Sequence, residues 1–184
     1  MKIKKYLFLA LLSVGLMTGC SKKEGIDENV ISQKQVPQDI TLDLVTHDGY
    51  KVNVERKNGA WIFKDYPNKI ILVNFFATWC PPCKAEIPHL NNLLAKYGKD
   101  FQVISIVVEE NKPNADLAAF VKEHNIRYPI TNSKDNFEFA KALGGVDGIP
   151  AMFLINKKGE MVMNYVGATQ EEILDSDITK YIGK

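Results

Sequence analysis

A continuous apolar run, Ile70-Ile71-Leu72-Val73-Asn74-Phe75-Phe76, leads through Ala77 and Thr78 into Trp79-Cys80-Pro81-Pro82-Cys83. A strand covered on both faces carries apolar residues without alternation. Two prolines fit where a helix begins, because the first N–H groups of a helix have no intrahelical acceptor. The segment therefore predicts a central strand that turns sharply into a helix bearing two cysteines at its start. Thiols at this spacing can close a small disulfide ring, one attacking while the other waits to resolve. The helix N-terminus aims unpaired N–H groups and a partial positive charge at the first sulfur, which favours its reactive thiolate.

The rest of the chain supplies the partners such a strand needs. Ile40 to Val45 and Tyr50 to Val54 alternate around His47-Asp48-Gly49 and read as a hairpin. Trp61-Ile62-Phe63 is a short apolar patch before Pro67. After the cysteines, Ile87, Leu90, Leu93, Leu94 and Tyr97 recur at helical spacing, and Gly98 stops the helix. Phe101 to Val108 is a second apolar strand, and Pro113 to His124 is helical, with Leu117, Phe120 and Val121 on one face. Tyr128-Pro129-Ile130 is short and extended, and Phe137 to Leu143 is a brief helix ended by Gly144-Gly145. Ala151 to Ile155 and Met161 to Val166 flank Asn156-Lys157-Lys158-Gly159 as a hairpin, and Glu171 to Ile182 closes as an amphipathic helix. This order predicts an α/β domain with a mixed sheet flanked by helices.

The third cysteine belongs to a different segment. Lys2, Lys4 and Lys5 precede an apolar run from Tyr6 to Met17, which ends in Thr18-Gly19-Cys20. The run is short for a membrane span and has the three-part form of a secretory signal. Leu16-Met17-Thr18-Gly19-Cys20 resembles a bacterial lipobox, in which the cysteine is acylated and becomes the first residue. Met17 stands where Leu is usual, and the alternative is an ordinary signal with a chance cysteine. The expected organisation is a signal over 1–19, a lipidated polar tether over 20–38 and one domain over 39–184. With Cys20 acylated, Cys80 and Cys83 remain as one redox pair in an oxidising compartment. Removing the signal takes away three lysines and moves the formal charge from +1 to −2. No basic face suggests nucleic acid.

Asn74 to Pro88, with Trp79-Cys80-Pro81-Pro82-Cys83 at its centre, resembles the active-site segment of the TlpA/ResA group of thioredoxin-fold, membrane-tethered reductases. Gly148-Ile149-Pro150-Ala151 and the apolar strand after it are similar to that group's cis-proline loop. The hairpin at the start and the stretch from Asn111 to Arg127 also fit, and the resemblance spans about Ile40 to Ile182. It implies a thioredoxin fold with an N-terminal β-hairpin extension and a central βα insertion. It implies Cys80 as the exposed nucleophile and Cys83, one turn further in, as the resolving thiol. Pro150 would take a cis bond and leave the Ile149 backbone to pair with an extended substrate. Trp79, Pro81 and Pro82 would shape the substrate surface. The implied protein is a monomer with no cofactor beyond the redox-active pair. Its partners are disulfide-bearing proteins, the membrane through Cys20, and a membrane thiol-reductant donor of DsbD/CcdA type. Apocytochrome c in cytochrome c maturation is one substrate branch.

Thioredoxin has a buried aspartate where this chain has Asn74, and an amide cannot ionise. Glu109, at the carboxyl end of the strand expected beside Ile70 to Phe76, is the candidate to assist Cys83; the alternative is a solvated loop acid. Glu86 is expected to cap the helix start or face water. Neither Pro81 nor Pro82 adds positive charge, so the poise leans to a reductant rather than a strong oxidant. Cys80, Cys83 and His89 make at most three ligands, with His89 two turns along the helix, so no metal is assigned. A thiol-based binding lipoprotein or metallochaperone is the competing class. A peroxidase would want Thr three residues before its cysteine, whereas Thr78 is two before Cys80.

Overall fold

The computed structural model describes residues 39–183; the expected signal, Cys20 and tether lie outside the described residues. The elements in order are β1 (Ile40–Val45), β2 (Lys51–Lys57), β3 (Ala60–Phe63), β4 (Ile70–Phe76), α1 (Pro81–Tyr97), β5 (Phe101–Val107), α2 (Asn114–Glu123), β6 (Ile130–Thr131), α3 (Asp135–Ala142), β7 (Ala151–Ile155), β8 (Met161–Val166) and α4 (Glu171–Ile182). Five strands form a mixed sheet in the order β6-β5-β4-β7-β8. β4 runs parallel to β5 and antiparallel to β7. β4, β5 and β7 are buried along their whole length, which is why their sequences carry no alternation.

The N-terminal extension is a three-stranded antiparallel sheet, β1-β2-β3, rather than a hairpin. The apolar patch Trp61-Ile62-Phe63 is its third strand. The signal for it is Asn58-Gly59. Both residues take positive φ, 51° and 83°, the conformation a two-residue hairpin turn requires. Trp61 and Phe63 then face the core while Ile62 faces water.

Alternation on β4 divides the interior. Ile71, Val73 and Phe75 join Ile104, Ile106 and Phe153 in a core under the small sheet and α3. There Trp61 and Phe63 meet Phe139 edge to face. Ile70 and Leu72 face α1 and α4 through Leu90, Leu93, Leu174 and Ile178. A third cluster caps the carboxyl ends of β4 and β5, where Phe76, Ala77, Cys80, Cys83, Ile87 and Val107 pack with Leu117 and Phe120 of α2. The site therefore lies where two parallel strands end and a helix begins, as in open α/β sheets generally.

The two sheets are stitched at one point. The Trp61 N–H donates to the Gly159 carbonyl at 2.8 Å. Gly159 has φ 81°, and a Cβ there would lie 2.3 Å from the Trp61 carbonyl oxygen. Only glycine permits this approach.

Candidate active site

Cys80 is the N-cap of α1, in extended conformation, with Pro81 and Pro82 in the first two helical positions. It is disulfide-bonded to Cys83, with Cα atoms 5.3 Å apart. Prolines have no N–H, so the first donor the helix offers is that of Cys83, which reaches the Cys80 sulfur at 3.3 Å. Cys80 is only 3% exposed and Cys83 2%. The family resemblance implies an exposed Cys80, but in the oxidised pair both residues belong to one apolar cluster with Phe76 and Ile87. The exposed residues are their neighbours: Trp79 is 67% exposed, and Pro81 and Pro82 face water.

The Ile149–Pro150 bond is cis, as the family resemblance implied. Ile149 packs against the cluster that holds both cysteines, so the loop and the sulfur pair share one surface. The Pro150 carbonyl accepts from the Gly167 N–H at 2.8 Å. Val166, paired with Ala151, is 78% exposed at the end of β8. Trp79 and the two prolines thus leave apolar surface beside the buried disulfide, and Val166 exposes more at the end of β8.

Glu109 lies two residues beyond the end of β5 and reaches the same corner. One carboxylate oxygen accepts from the Thr78 N–H, and the other lies 3.5 Å from the Lys112 ammonium. It braces the loop between β4 and Cys80. The corner is fixed from behind by Asn136, 1% exposed. Asn136 donates to the Val107 and Thr131 carbonyls, each at 2.9 Å, and accepts from the Thr131 hydroxyl.

Glu86 is placed otherwise than expected. It is 2% exposed, neither capping α1 nor facing water. One oxygen accepts from the Thr169 N–H at 2.8 Å; the other is buried without a hydrogen-bond partner among the described residues. Burial pushes its pKa up to about 7, against the opposing effects of the Thr169 N–H and His89. Glu86 is three residues from Cys83 on α1, so the two share a helix face. On the strand opposite, Asn74 donates to the Ser105 hydroxyl at 3.1 Å, while its carbonyl oxygen is buried with no partner among the described residues. Tyr128, also bonded to Ser105, has its phenol pKa raised by burial, and the Glu86 charge adds to that. Asn74, Ser105, Tyr128 and Glu86 make a polar group inside an otherwise apolar layer. Sequence reasoning missed Ser105, Tyr128, Lys112, Asn136 and the burial of Glu86, since none belongs to a spaced motif. His89 pairs with Glu171 at 2.8 Å on the surface, tying α1 to α4.

The sequence profile of the Redoxin family matches residues 32–182. The thiol-disulfide oxidoreductase ResA of Bacillus cereus is 28% identical over 98% of both chains. That of Bacillus anthracis is 30% identical over 80% of this chain and 76% of its own. Among solved structures, a thiol:disulfide interchange protein of Chlorobium tepidum superposes with a TM-score of 0.65 at 28% identity. The superposition covers 78% of this chain and 94% of that one. A pneumococcal exposed lipoprotein thioredoxin, 21% identical, shares the fold with a TM-score of 0.60, over 77% of this chain and 99% of its own.

Proposed function

The chain belongs to the Redoxin family as a thiol-disulfide oxidoreductase, and we propose that it is a membrane-anchored reductase of protein disulfides outside the cytoplasm. One observation carries this reading: the Cys80–Cys83 pair, at a helix N-terminus, shares a surface with the cis Ile149–Pro150 loop. In the reduced enzyme the Cys80 thiolate attacks a substrate disulfide, forming a mixed disulfide and releasing one substrate thiolate. Cys83 then loses its proton and attacks the Cys80 sulfur, expelling the second thiolate. The substrate gains two electrons and two protons, and the enzyme is left as the Cys80–Cys83 disulfide. A membrane thiol donor of DsbD/CcdA type returns the two electrons. Glu86 is suited to take the Cys83 proton, because it shares the helix face and titrates near neutrality. Glu109 holds the loop that presents Cys80. The signal and the Gly19-Cys20 junction support the anchor. Oxidised cysteines of apocytochrome c and wrongly paired proteins are the two substrate branches.

Insulin reduction with a thiol donor tests the activity. Turnover by the parent chain and none by Cys80→Ser is expected. A parent chain that leaves insulin oxidised while holding a metal through its thiols would replace this reading with a binding protein.

A further inference from the structure

The central sheet has two ends with different chemistry. One end carries the disulfide, with Glu109 and Glu110 after β5 and Asp147 in the loop before Pro150. At the other end β4 and β5 begin and β7 finishes. Four lysines occupy its loops: Lys69 before β4, Lys99 before β5, and Lys157 and Lys158 after β7.

Hydrogen bonds place them together. Ile70 N–H donates to the Asp100 carbonyl at 2.8 Å. Lys157 pairs with the Asp100 carboxylate at 2.7 Å and reaches the Ile182 carbonyl, at the end of α4, at 3.1 Å. Lys69 donates to the Gly98 carbonyl, and its charge, with that of Lys99, acts on the Asp100 carboxylate from a distance without a contact ion pair. Lys99 and Lys158 are exposed and form no contact ion pair among the described residues. Against these four cations stand Asp100 and Glu160; the adjoining segments add Asp39 and Asp65 to the acids and Lys57 and Lys64 to the cations, with Lys64 paired to Glu55. A groove of about 270 Å³ opens here between β3 and the β7–β8 turn, walled in part by Lys69, Lys157 and Lys158.

The chain enters the domain at this same end. Asp39 accepts from the Asn58 N–H at 3.1 Å, in the turn before β3. Trp61, three residues on, is bonded to Gly159 of the β7–β8 turn. The expected tether, 20–38, joins the described domain at Asp39, beside this pole.

We infer that this lysine-bearing pole is an electrostatic seat for an anionic lipid surface, which turns the disulfide away from the bilayer toward substrates. The inference rests on the anchoring proposed above. Charge complementarity supplies the attraction, and the tether holds the pole within reach of it. Each lysine near an anionic bilayer strengthens association about fivefold, an effect that fades within a Debye length.

The test uses the full chain reconstituted on vesicles of phosphatidylcholine, alone or mixed equally with phosphatidylglycerol. A water-soluble amine reagent labels lysines, and mass spectrometry reads each site. Lys99 and Lys158 should label several-fold more slowly on the anionic vesicles than on the neutral ones. Lys84 and Lys112, at the disulfide end, should label alike on both. High salt should abolish the difference. The double variant Lys99→Glu, Lys158→Glu, altered only at exposed positions, should lose the residual protection at Lys69 and Lys157 while reducing insulin in solution as the parent does. Equal labelling of Lys99 and Lys158 on both vesicles overturns the seat. Flotation with neutral vesicles reports the anchor separately. If the chain fails to float there yet is captured by anionic vesicles, the anchor falls and the seat stands.

Discussion

At the scale of single residues, the proposed reaction turns on two sulfurs served by two carboxylates. Cys80 holds the N-cap and receives the Cys83 N–H, so its thiolate is the one the helix stabilises. Cys83→Ser should therefore accumulate mixed disulfides with substrates, and Cys80→Ser few. Non-reducing gels of cells carrying each variant read this, and equal trapping would contradict the assigned roles. Glu86 should govern the pH dependence. Its folded pKa of about 7 exceeds the ordinary 4.5, so between those values the folded state holds a proton that the unfolded state has released. Stability conferred at low pH is therefore lost as pH rises from about 4.5 to 7, by at most about 3 kcal/mol. Glu86→Gln should melt like the parent near the lower pH and above it at pH 8. The same variant should slow mixed-disulfide resolution by roughly 100-fold or more at neutral pH, the usual worth of a general base. Glu109→Gln retains an acceptor for the Thr78 N–H and should resolve with the parent's pH profile. Stopped-flow measurement across pH 6 to 9 separates the two acids; a shifted profile for Glu109→Gln and a parental one for Glu86→Gln would exchange their roles. Nothing local distinguishes Glu86 from a surface acid. Its burial depends on Thr169, 83 residues away, which packs α4's approach onto α1.

Among the elements, those with a strong local pattern were legible and those defined by a meeting were not. The apolar runs of β4, β5 and β7 announce a central sheet because strands covered on both faces need no polar side. The cysteine-bearing helix is announced by its prolines. β3 is four residues long, and its signal is the Asn58-Gly59 turn rather than its own composition. Its join to the β7–β8 turn is visible only in three dimensions. That join gives a prediction. Gly159→Ala forces a Cβ against the Trp61 backbone and strains a positive φ. The two sheets must separate locally, costing roughly 2–4 kcal/mol, in the range of strained-backbone substitutions. Thermal melts should show a fall of several degrees, while insulin reduction per folded molecule persists, because the site is at the far end of the sheet. An unchanged melting temperature would mean the turn accommodates the methyl group without moving.

For the molecule as a whole, two properties follow from assembly. The first is redox poise. Pro81 and Pro82 carry no charge and no N–H, so the Cys83 N–H is the first helix donor at the Cys80 sulfur. Weak stabilisation of the thiolate leaves the reduced form readily oxidised. The pair should equilibrate nearer thioredoxin's potential of about −270 mV than the strong oxidant DsbA's of about −120 mV. Glutathione or dithiothreitol titration followed by Trp79 fluorescence measures this, and a value near the oxidant's would make the protein an oxidase. The second is placement. Among the described residues no helix is long and apolar enough to cross a membrane, and the proposed attachment is through Cys20. Cys20→Ala should release the protein from membranes or block its processing, and fractionation identical to the parent's would remove the anchor.

The amino-acid sequence by itself determined the order of the elements other than β3, the class of the central sheet and the position of the redox pair. Those features rest on spacings within about twenty residues, which the backbone's own periodicities impose. Tertiary structure alone decided which carboxylate lies in the interior, and that Cys80 is covered when oxidised. It also decided that Asn74 bonds Ser105 and that four lysines separated along the chain gather at one pole. Burial and charge proximity are properties of residues brought together from distant parts of the chain, and no local pattern carries them.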